Sequence, residues 1–296
     1  MRSPGSFFCW ARHQGGLLRQ SSESLAGRIR YLELKPLSIL ESCNAEGKHF
    51  DLQRLWFRGG FPDSYLSASD SDSWNWRGDF ISTYVERDIP LLGPKLPSEQ
   101  MRRCWAMLAY SQGQQLNLST LAAGLGVTHP TIRNYLDVLT DLYMVRQISP
   151  WSGNSRKRLV KSPKIYLRDT GLLHRLVNIP DRETLLGHPI VGASWEGFVI
   201  ENILMQLTDK WTCSYYRTSA QAEIDLVLEG PGREVLAIEI KRTLSPKVSK
   251  GFRLASEDIQ ATRKFFVYAG TERYPLTKDI EAISVLEMMQ IVQGFR

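Results

Sequence analysis

Apolar residues in the middle of the chain recur at helical spacing. One set falls at three- and four-residue intervals: Met101, Cys104, Trp105, Leu108 and Ala109. This spacing predicts an amphipathic helix over 98–113. The stretch LSTLAAGLG predicts a second, short helix capped by Ser119, and Thr128 followed by His-Pro predicts the start of a third. Helix, glycine turn and capped helix are together typical of a helix-turn-helix.

A strand and a basic hairpin after these helices extend the prediction to a winged-helix domain over 98–168. The strand is expected at Tyr143–Ile148 and the hairpin, as the wing, at 151–161. The first turn of the third helix carries side chains of the types that contact phosphates and base edges in a major groove: His129, Thr131, Arg133 and Asn134. The alternative is a module that packs against other parts of the protein.

The C-terminal part of the chain alternates helices with short strands, which predicts an α/β domain over 169–296 and an α+β class overall. Helices are expected at Trp195–Leu207 and around Ser256–Arg263, and strands at Ala222–Leu228, Val235–Ile240, Phe265–Tyr268 and Ala282–Val285. The sequence EGPGR joins the first two strands by a turn. Residues 182–192 are expected to form a loop and 61–97 a helical connector.

Basic residues are concentrated in one stretch. The chain has 37 Lys and Arg against 31 Asp and Glu, a formal net charge of +6. Residues 151–175 carry seven of the basic residues and one acidic residue, so the rest of the chain is balanced. Four of the seven belong to the expected wing: Arg156, Lys157, Arg158 and Lys161. Such a stretch indicates an anion-binding surface with DNA as the leading ligand, and a solvated hairpin tip is the alternative.

Composition excludes several protein classes. A hydrophobic fraction of 43% and a charged fraction of 23% are ordinary for a folded chain, and no apolar run reaches the roughly 18 residues of a membrane span. The four cysteines form no CxxC and the five histidines show no ligand spacing, which argues against a disulfide framework and a structural zinc site. We therefore expect a cytoplasmic protein without a membrane partner.

Two carboxylates and a lysine in the predicted hairpin suit phosphodiester chemistry. Glu239 and Lys241 are two residues apart, so period-two alternation puts them on one face of their strand. Asp225 on the paired strand is expected beside Glu239. Two carboxylates so placed can hold Mg²⁺, which polarises a phosphodiester and activates water, while Lys241 stabilises developing charge.

Further acids near this hairpin leave alternatives open. Glu196 or Glu201, on the preceding helix, is the expected additional metal ligand, and Glu223 shares the face of Asp225. The alternative is a set of structural acids, with Glu239 and Lys241 as a surface pair worth under about 1 kcal/mol.

The first sixteen residues differ in character from the sequence that follows. They show neither helical nor strand periodicity. A shifted reading frame takes the third base of each codon together with the first two bases of the next codon. In this frame Phe-Cys-Trp-Ala at 8–11 becomes Leu-Leu-Gly, with apolar residues before it and small residues after it. That shifted sequence is typical of a buried strand entering a turn. We hypothesise a frameshift near Gly15–Leu17 and a truncated product, with an unstructured native tail as the alternative.

Three stretches carry a family resemblance: LLRQSSESLAGRIRYLELKPLSILE, LWFRGGFPDSYL and YVERDI. From Leu17 onward the chain resembles prokaryotic AAA-type ATPases that carry a C-terminal domain of unknown function with a restriction-endonuclease-like core. The resemblance implies that 17–60 is a remnant of the ATPase core. The nucleotide site of that family needs a glycine-rich phosphate loop, and GxxxxGK[ST] occurs nowhere in this chain. ATP is therefore not an expected cofactor of this chain.

The acids and lysine of the hairpin resemble the PD-(D/E)xK nuclease superfamily. Asp225 fits the Asp of that pattern, Glu239 and Lys241 fit its (D/E)xK, and Glu201 or Glu196 fits its helical acid. Ile224 stands where the superfamily has proline. Three functions follow as hypotheses: a DNA- or protein-binding part of an ATPase-like protein, a Mg²⁺-dependent nuclease, and a winged-helix regulator.

Overall fold

A computed structural model describes residues 33–92, 97–153 and 157–295, and shows the α+β class expected from the sequence. Three parts of the sequence predictions lie outside the described residues: the hypothesised frameshifted tail, residues 17–32 of the expected ATPase remnant, and Arg156. None of the described helices is both long and apolar enough to cross a membrane.

The first described part consists of short helices. They are α1 (Ile39–Glu46), α2 (Leu52–Arg58), α3 (Pro62–Tyr65), α4 (Asp70–Thr83) and α5 (Ile89–Leu92), with a π-helical turn at Tyr84–Asp88 between the last two. Ser38 and Glu41 form a capping box at the start of α1, and the Ser69 side chain caps α4. The connector predicted for this region is thus helical up to residue 92.

Three packed helices follow, with a small antiparallel sheet. These elements are α6 (Ser98–Tyr110), α7 (Leu118–Leu125), α8 (His129–Asp141), β1 (Val145–Ile148) and β2 (Lys164–Leu167). Thr128 caps α8 as predicted, with Pro130 in its first turn, whereas Asn117 and not Ser119 caps α7. Gly126 ends α7 in the left-handed conformation at φ 65°, which glycine adopts without strain.

The last part is a six-stranded sheet with helices on it. Its elements are α9 (Thr170–Leu176), α10 (Arg182–Gly187), α11 (Val191–Leu204), β3 (Thr212–Arg217), β4 (Glu223–Glu229), β5 (Val235–Lys241), α12 (Lys250–Asp258), β6 (Arg263–Tyr268), β7 (Tyr274–Pro275), β8 (Glu281–Ser284) and α13 (Val285–Gln293). The strand order is β3-β4-β5-β6-β8-β7, with β5, β6 and β8 parallel and the other neighbours antiparallel.

Two predictions for this part need correction. The expected loop over 182–192 contains α10, because the Asp181 side chain accepts a hydrogen bond from Thr184 N (2.7 Å) and starts a helix there. The helix expected around Ser256–Arg263 begins at Lys250, where the Ser249 side chain caps it, and ends at Asp258. In both cases the helix begins at its capping residue and not where the apolar spacing indicated.

The basic hairpin 151–161 is not a free wing. Trp151 N donates to Tyr215 O (2.7 Å) and Val160 N donates to Arg217 O (3.1 Å), so both ends of the segment lie along β3. The Trp151 indole is buried against Tyr216. The segment therefore extends the edge of the large sheet, because β3 is an edge strand with unpaired backbone groups.

A buried chain of hydrogen bonds ties α2, α9 and α11 together. His174 Nδ1 lies 3.0 Å from Phe57 O, and its Nε2 lies 2.7 Å from Ser194 Oγ. Trp56 Nε1 donates to the same hydroxyl (3.0 Å). The carbonyl can only accept, so the neutral ring donates from Nδ1 and accepts the Ser194 proton at Nε2. The side-chain polar atoms of His174, Ser194 and Trp56 thus all have a hydrogen-bond partner.

Burial lowers the pKa of His174 to about 3 and makes the fold sensitive to acid. The unfolded chain takes up a proton below about pH 6.5, whereas the folded protein does not until about pH 3. The contribution of His174 to the free energy of unfolding is therefore complete above about pH 6.5. It decreases as the pH falls, by about 2 kcal/mol at pH 5. Urea unfolding of wild type and His174→Gln at pH 7.5 and pH 5 should show a smaller loss in the variant by about this amount.

Proton NMR provides the control for this interpretation. The ring signal of His174 should stay unchanged between pH 7.5 and pH 5. A His174 ring signal that moves over this range would contradict a neutral buried ring.

Candidate functional site

The pairing of β4 with β5 brings two predicted acids together. Leu226 and Ile238 form the last pair of this antiparallel register, and Asp225 and Glu239 are the residues next to that pair on the two strands. Asp225 Oδ2 accepts a hydrogen bond from Ile240 N (2.9 Å), so the carboxylate is fixed against the backbone of the neighbouring strand. Both acids are at least nine-tenths buried.

Lys241 lies between these two carboxylates. Its Nζ is 2.7 Å from Glu239 Oε1 and 3.7 Å from Asp225 Oδ2. The side chain is 43% exposed, so its amine reaches solvent as well as the acids. The second oxygen of the same carboxylate, Glu239 Oε2, is buried without a hydrogen-bond partner among the described residues. One cation thus already lies between the acids, and one carboxylate oxygen still has unused binding capacity.

A second lysine, Lys164, neutralises the other side of the cluster. It lies on β2 with only 3% of its side chain exposed. Its Nζ is 2.8 Å from Glu223, 3.2 Å from Glu196 and 3.7 Å from Asp225. The Tyr166 hydroxyl donates to Glu196 as well. Because β2 precedes the sheet by more than forty residues, this contact joins two distant parts of the sequence.

Burial and mutual repulsion shift the pKa values of these acids. Burial, followed by the charge of Asp225, raises the pKa of both Glu196 and Glu239 well above the usual range of a carboxyl group. Burial by itself lowers the pKa of a lysine, but the surrounding carboxylates outweigh it and raise the pKa of Lys164 and Lys241. Both lysines therefore remain charged, and the cluster favours additional positive charge.

The donor types fit a hard divalent cation, although the side chains do not form a finished metal site. Mg²⁺ prefers carboxylate oxygens, and Asp225, Glu239 and Glu196 supply them. Across the described ranges, no three His, Cys, Asp or Glu side chains are arranged to hold a metal ion as they stand. The amines of Lys241 and Lys164 approach the carboxylates instead, so a metal ion requires at least Lys241 to move away.

Glu201, the other candidate for the helical acid, lies elsewhere. It is 2% exposed and forms ion pairs with Arg146 and Arg168, the latter from Nε to Oε2 at 3.1 Å. Burial raises the pKa of Glu201, but the two guanidinium groups outweigh this effect and hold it below its usual range. Between Glu196 and Glu201, five residues apart on α11, the helix directs only Glu196 to the cluster.

The predicted nucleic-acid residues fall into two separate groups. His129 and Arg133 are exposed on α8, with Thr131 and Asn134 half-buried beside them. Asp137 and Asp141 are exposed on the same helix, so the helix has no net positive charge. The members of the basic segment lie instead on the sheet edge: Lys157 pairs with Asp258 (2.7 Å), and Arg158 and Lys161 are exposed.

The basic segment leads directly into the acidic cluster. Arg158 O accepts a hydrogen bond from Ser219 N (3.1 Å), and Ser162 O accepts one from the Tyr215 hydroxyl. Two residues later the chain reaches Lys164. The residues predicted for the wing are thus brought beside the residues predicted for the nuclease-like site, which their sequence positions did not indicate.

Lys164 and Tyr166 are the members of the cluster that sequence reasoning missed. Both lie in the apolar strand KIYL, which is fully buried. A lysine in such a strand is a detectable signal, because a buried ammonium group needs nearby carboxylates. The sequence does not identify which acids provide them.

Two family matches divide the chain near the start of α11. Residues 49–183 match a domain of unknown function, DUF8612, and residues 191–288 match a second domain of unknown function, DUF4143. The acids of the cluster lie within the second match, whereas Lys164 and the basic segment lie within the first. The domain limits predicted from the sequence remain predictions.

Two curated relatives are uncharacterised proteins, one from Mycobacterium bovis and one from Mycobacterium tuberculosis. Each is 43% identical to this chain over 280 residues, which cover 95% of the chain and 62% of the relative. The chain therefore spans about 62% of the length of these proteins. No solved structure matches it.

Removing the buried cation should destabilise the protein. Lys164→Met leaves three carboxylates without their nearest positive charge, which should lower the free energy of unfolding by about 3–5 kcal/mol. Chemical denaturation at pH 7.5 measures this difference.

Lys161→Met is the matched control, because the same substitution at an exposed position should change stability by less than about 0.5 kcal/mol. Equal stabilities of the two variants would show that Lys164 does not hold the cluster together.

Proposed function

We propose that the chain binds nucleic acid and cleaves its phosphodiester bonds with the help of Mg²⁺. The observation that carries this proposal is the position of the Lys241 amine between Asp225 and Glu239, with one oxygen of Glu239 buried and unpartnered among the described residues. The likeness of these residues to the PD-(D/E)xK pattern supports the same chemistry.

Each residue has a defined part in this proposal. Asp225, Glu239 and Glu196 hold the metal, which when bound polarises the phosphodiester and lowers the pKa of water. Lys241, half-exposed at the site, stabilises the negative charge that develops on the phosphate. Arg158 and Lys161 hold the nucleic-acid backbone beside the site, since exposed basic side chains contact phosphates.

A second candidate is a non-catalytic part of an ATPase-associated protein that binds DNA or a partner protein. Lys164 favours it, because a buried lysine bound to three acids also makes a stable structural network without a metal. The DUF4143 match supports the association with AAA-type ATPases. We propose no ATP hydrolysis by this chain, and we place the protein in the cytoplasm.

Cleavage of plasmid and of labelled single- and double-stranded oligonucleotides tests the first candidate. Wild type with Mg²⁺ or Mn²⁺ should cleave and EDTA should abolish cleavage, while Asp225→Asn, Glu239→Gln and Lys241→Met should each be at least about a hundredfold slower.

Glu257→Gln is the control for this assay, because Glu257 is an exposed carboxylate on α12 outside the cluster. It should cleave like wild type. If wild type and all variants are equally inert while their unfolding curves show intact folding, the nuclease proposal is wrong and the network is structural.

Salt-dependent DNA binding distinguishes the two predicted nucleic-acid groups. Replacing both Arg158 and Lys161 with Ala should weaken binding and reduce the slope of log K against log salt by about two, because each phosphate contact contributes about one. Fluorescence anisotropy over a range of salt concentrations measures both quantities.

Arg133→Ala reports on the helix-turn-helix surface, and Lys278→Ala is a control at an exposed position outside both groups. We expect both single variants to bind like wild type. If Arg133→Ala weakens binding more than the double variant does, α8 carries the DNA contact and the winged-helix regulator becomes the better reading.

A further inference from the structure

Three arginines line a cleft between α4, α6 and α9, away from the acidic cluster. The cleft has a volume of about 240 Å³. Gly78 of α4, Arg102 and Arg103 of α6, and Arg175 of α9 line it, and Glu99 is an acidic residue on the same wall. None of these residues takes part in the proposed nuclease function.

Contacts with Trp74 and Gly78 fix the position of the Arg175 side chain within this cleft. Its guanidinium lies 4.2 Å from the ring centroid of Trp74, which it covers. A Cβ at position 78 would be only 2.7 Å from Arg175 Nη2 and 2.8 Å from its Nε, so glycine at this helix position makes room for the guanidinium. The Nε group is buried without a hydrogen-bond partner among the described residues.

The charges around this guanidinium are incompletely neutralised. Burial and then the positive charge of Arg102 lower the pKa of Arg175, while Asp79 opposes them. Arg102 is exposed and has no ion pair within the described part of the chain. Arg103 pairs with Glu99 at 3.0 Å, but both side chains are about two-thirds exposed, so this pair is weak and can rearrange.

We propose that this cleft binds a phosphate group through the guanidinium groups of Arg102 and Arg175. A guanidinium presents paired donors that match two phosphate oxygens. A terminal phosphate dianion neutralises both cations at once and a backbone phosphodiester neutralises one of them, and either group supplies an acceptor oxygen for the unpartnered Nε of Arg175. Arg103 becomes a third ligand when it leaves Glu99. The phosphate belongs to a small phosphorylated molecule or to a nucleic-acid backbone.

Calorimetric titration of the full chain with inorganic phosphate and with pyrophosphate, in chloride buffer of low ionic strength, tests this proposal. Wild type should bind at one saturable site. Arg102→Gln removes an exposed charge without disturbing packing and should weaken binding at least tenfold. Gly78→Ala keeps every charge but displaces the Arg175 guanidinium, and it should weaken binding as well.

Arg253→Gln, an exposed arginine of α12, is the charge-matched control and should change affinity by less than twofold. Absence of saturable binding of both anions, or equal affinities in wild type and Arg102→Gln, would overturn the proposal. Displacement of pyrophosphate by an oligonucleotide without terminal phosphates would assign the phosphate to a nucleic-acid backbone. Binding that the oligonucleotide leaves unchanged would assign it to a small phosphorylated ligand.

Discussion

The ammonium group of Lys164 is the interaction on which the arrangement of this protein depends. It lies on a strand that follows the three-helix part, and its three acidic partners lie on α11 and β4. A buried charge without partners is very costly, so the small sheet and the large sheet must meet where this lysine finds its carboxylates. One cluster of buried apolar residues accordingly includes side chains from Ile39 to Val292, and a second, separate cluster includes Tyr216 and Phe252.

The same principle determines which charged groups are available for function. Glu201 is fully engaged by Arg146 and Arg168, so its charge stabilises the junction between α11 and the preceding strands. Glu239 and Lys241 are less completely engaged, since one carboxylate oxygen is unpartnered among the described residues and the amine reaches solvent. We therefore expect chemistry at Glu239 and Lys241, where the charged groups are only partly paired, rather than at Glu201, where they are fully paired.

Edge-strand pairing also changes how the basic segment should be interpreted. In the sequence it follows a helix-turn-helix and reads as its wing, but β3 offers free backbone groups that the segment satisfies. This pairing carries Arg158 and Lys161 away from α8 and toward the acidic cluster. The segment that the sequence predicted as a solvated wing thus lies along the edge of the large sheet.

Local signals in the sequence determined most of the elements and part of the site. Capping residues and apolar spacing predicted α6, α8 and the β4–β5 hairpin, and alternation predicted that Glu239 and Lys241 share a face. The sequence could not determine that Lys164 joins this site, that Glu196 rather than Glu201 reaches it, or that the basic segment lies on β3. Those contacts depend on which distant backbone edges and buried charges meet, and only the tertiary structure decides this.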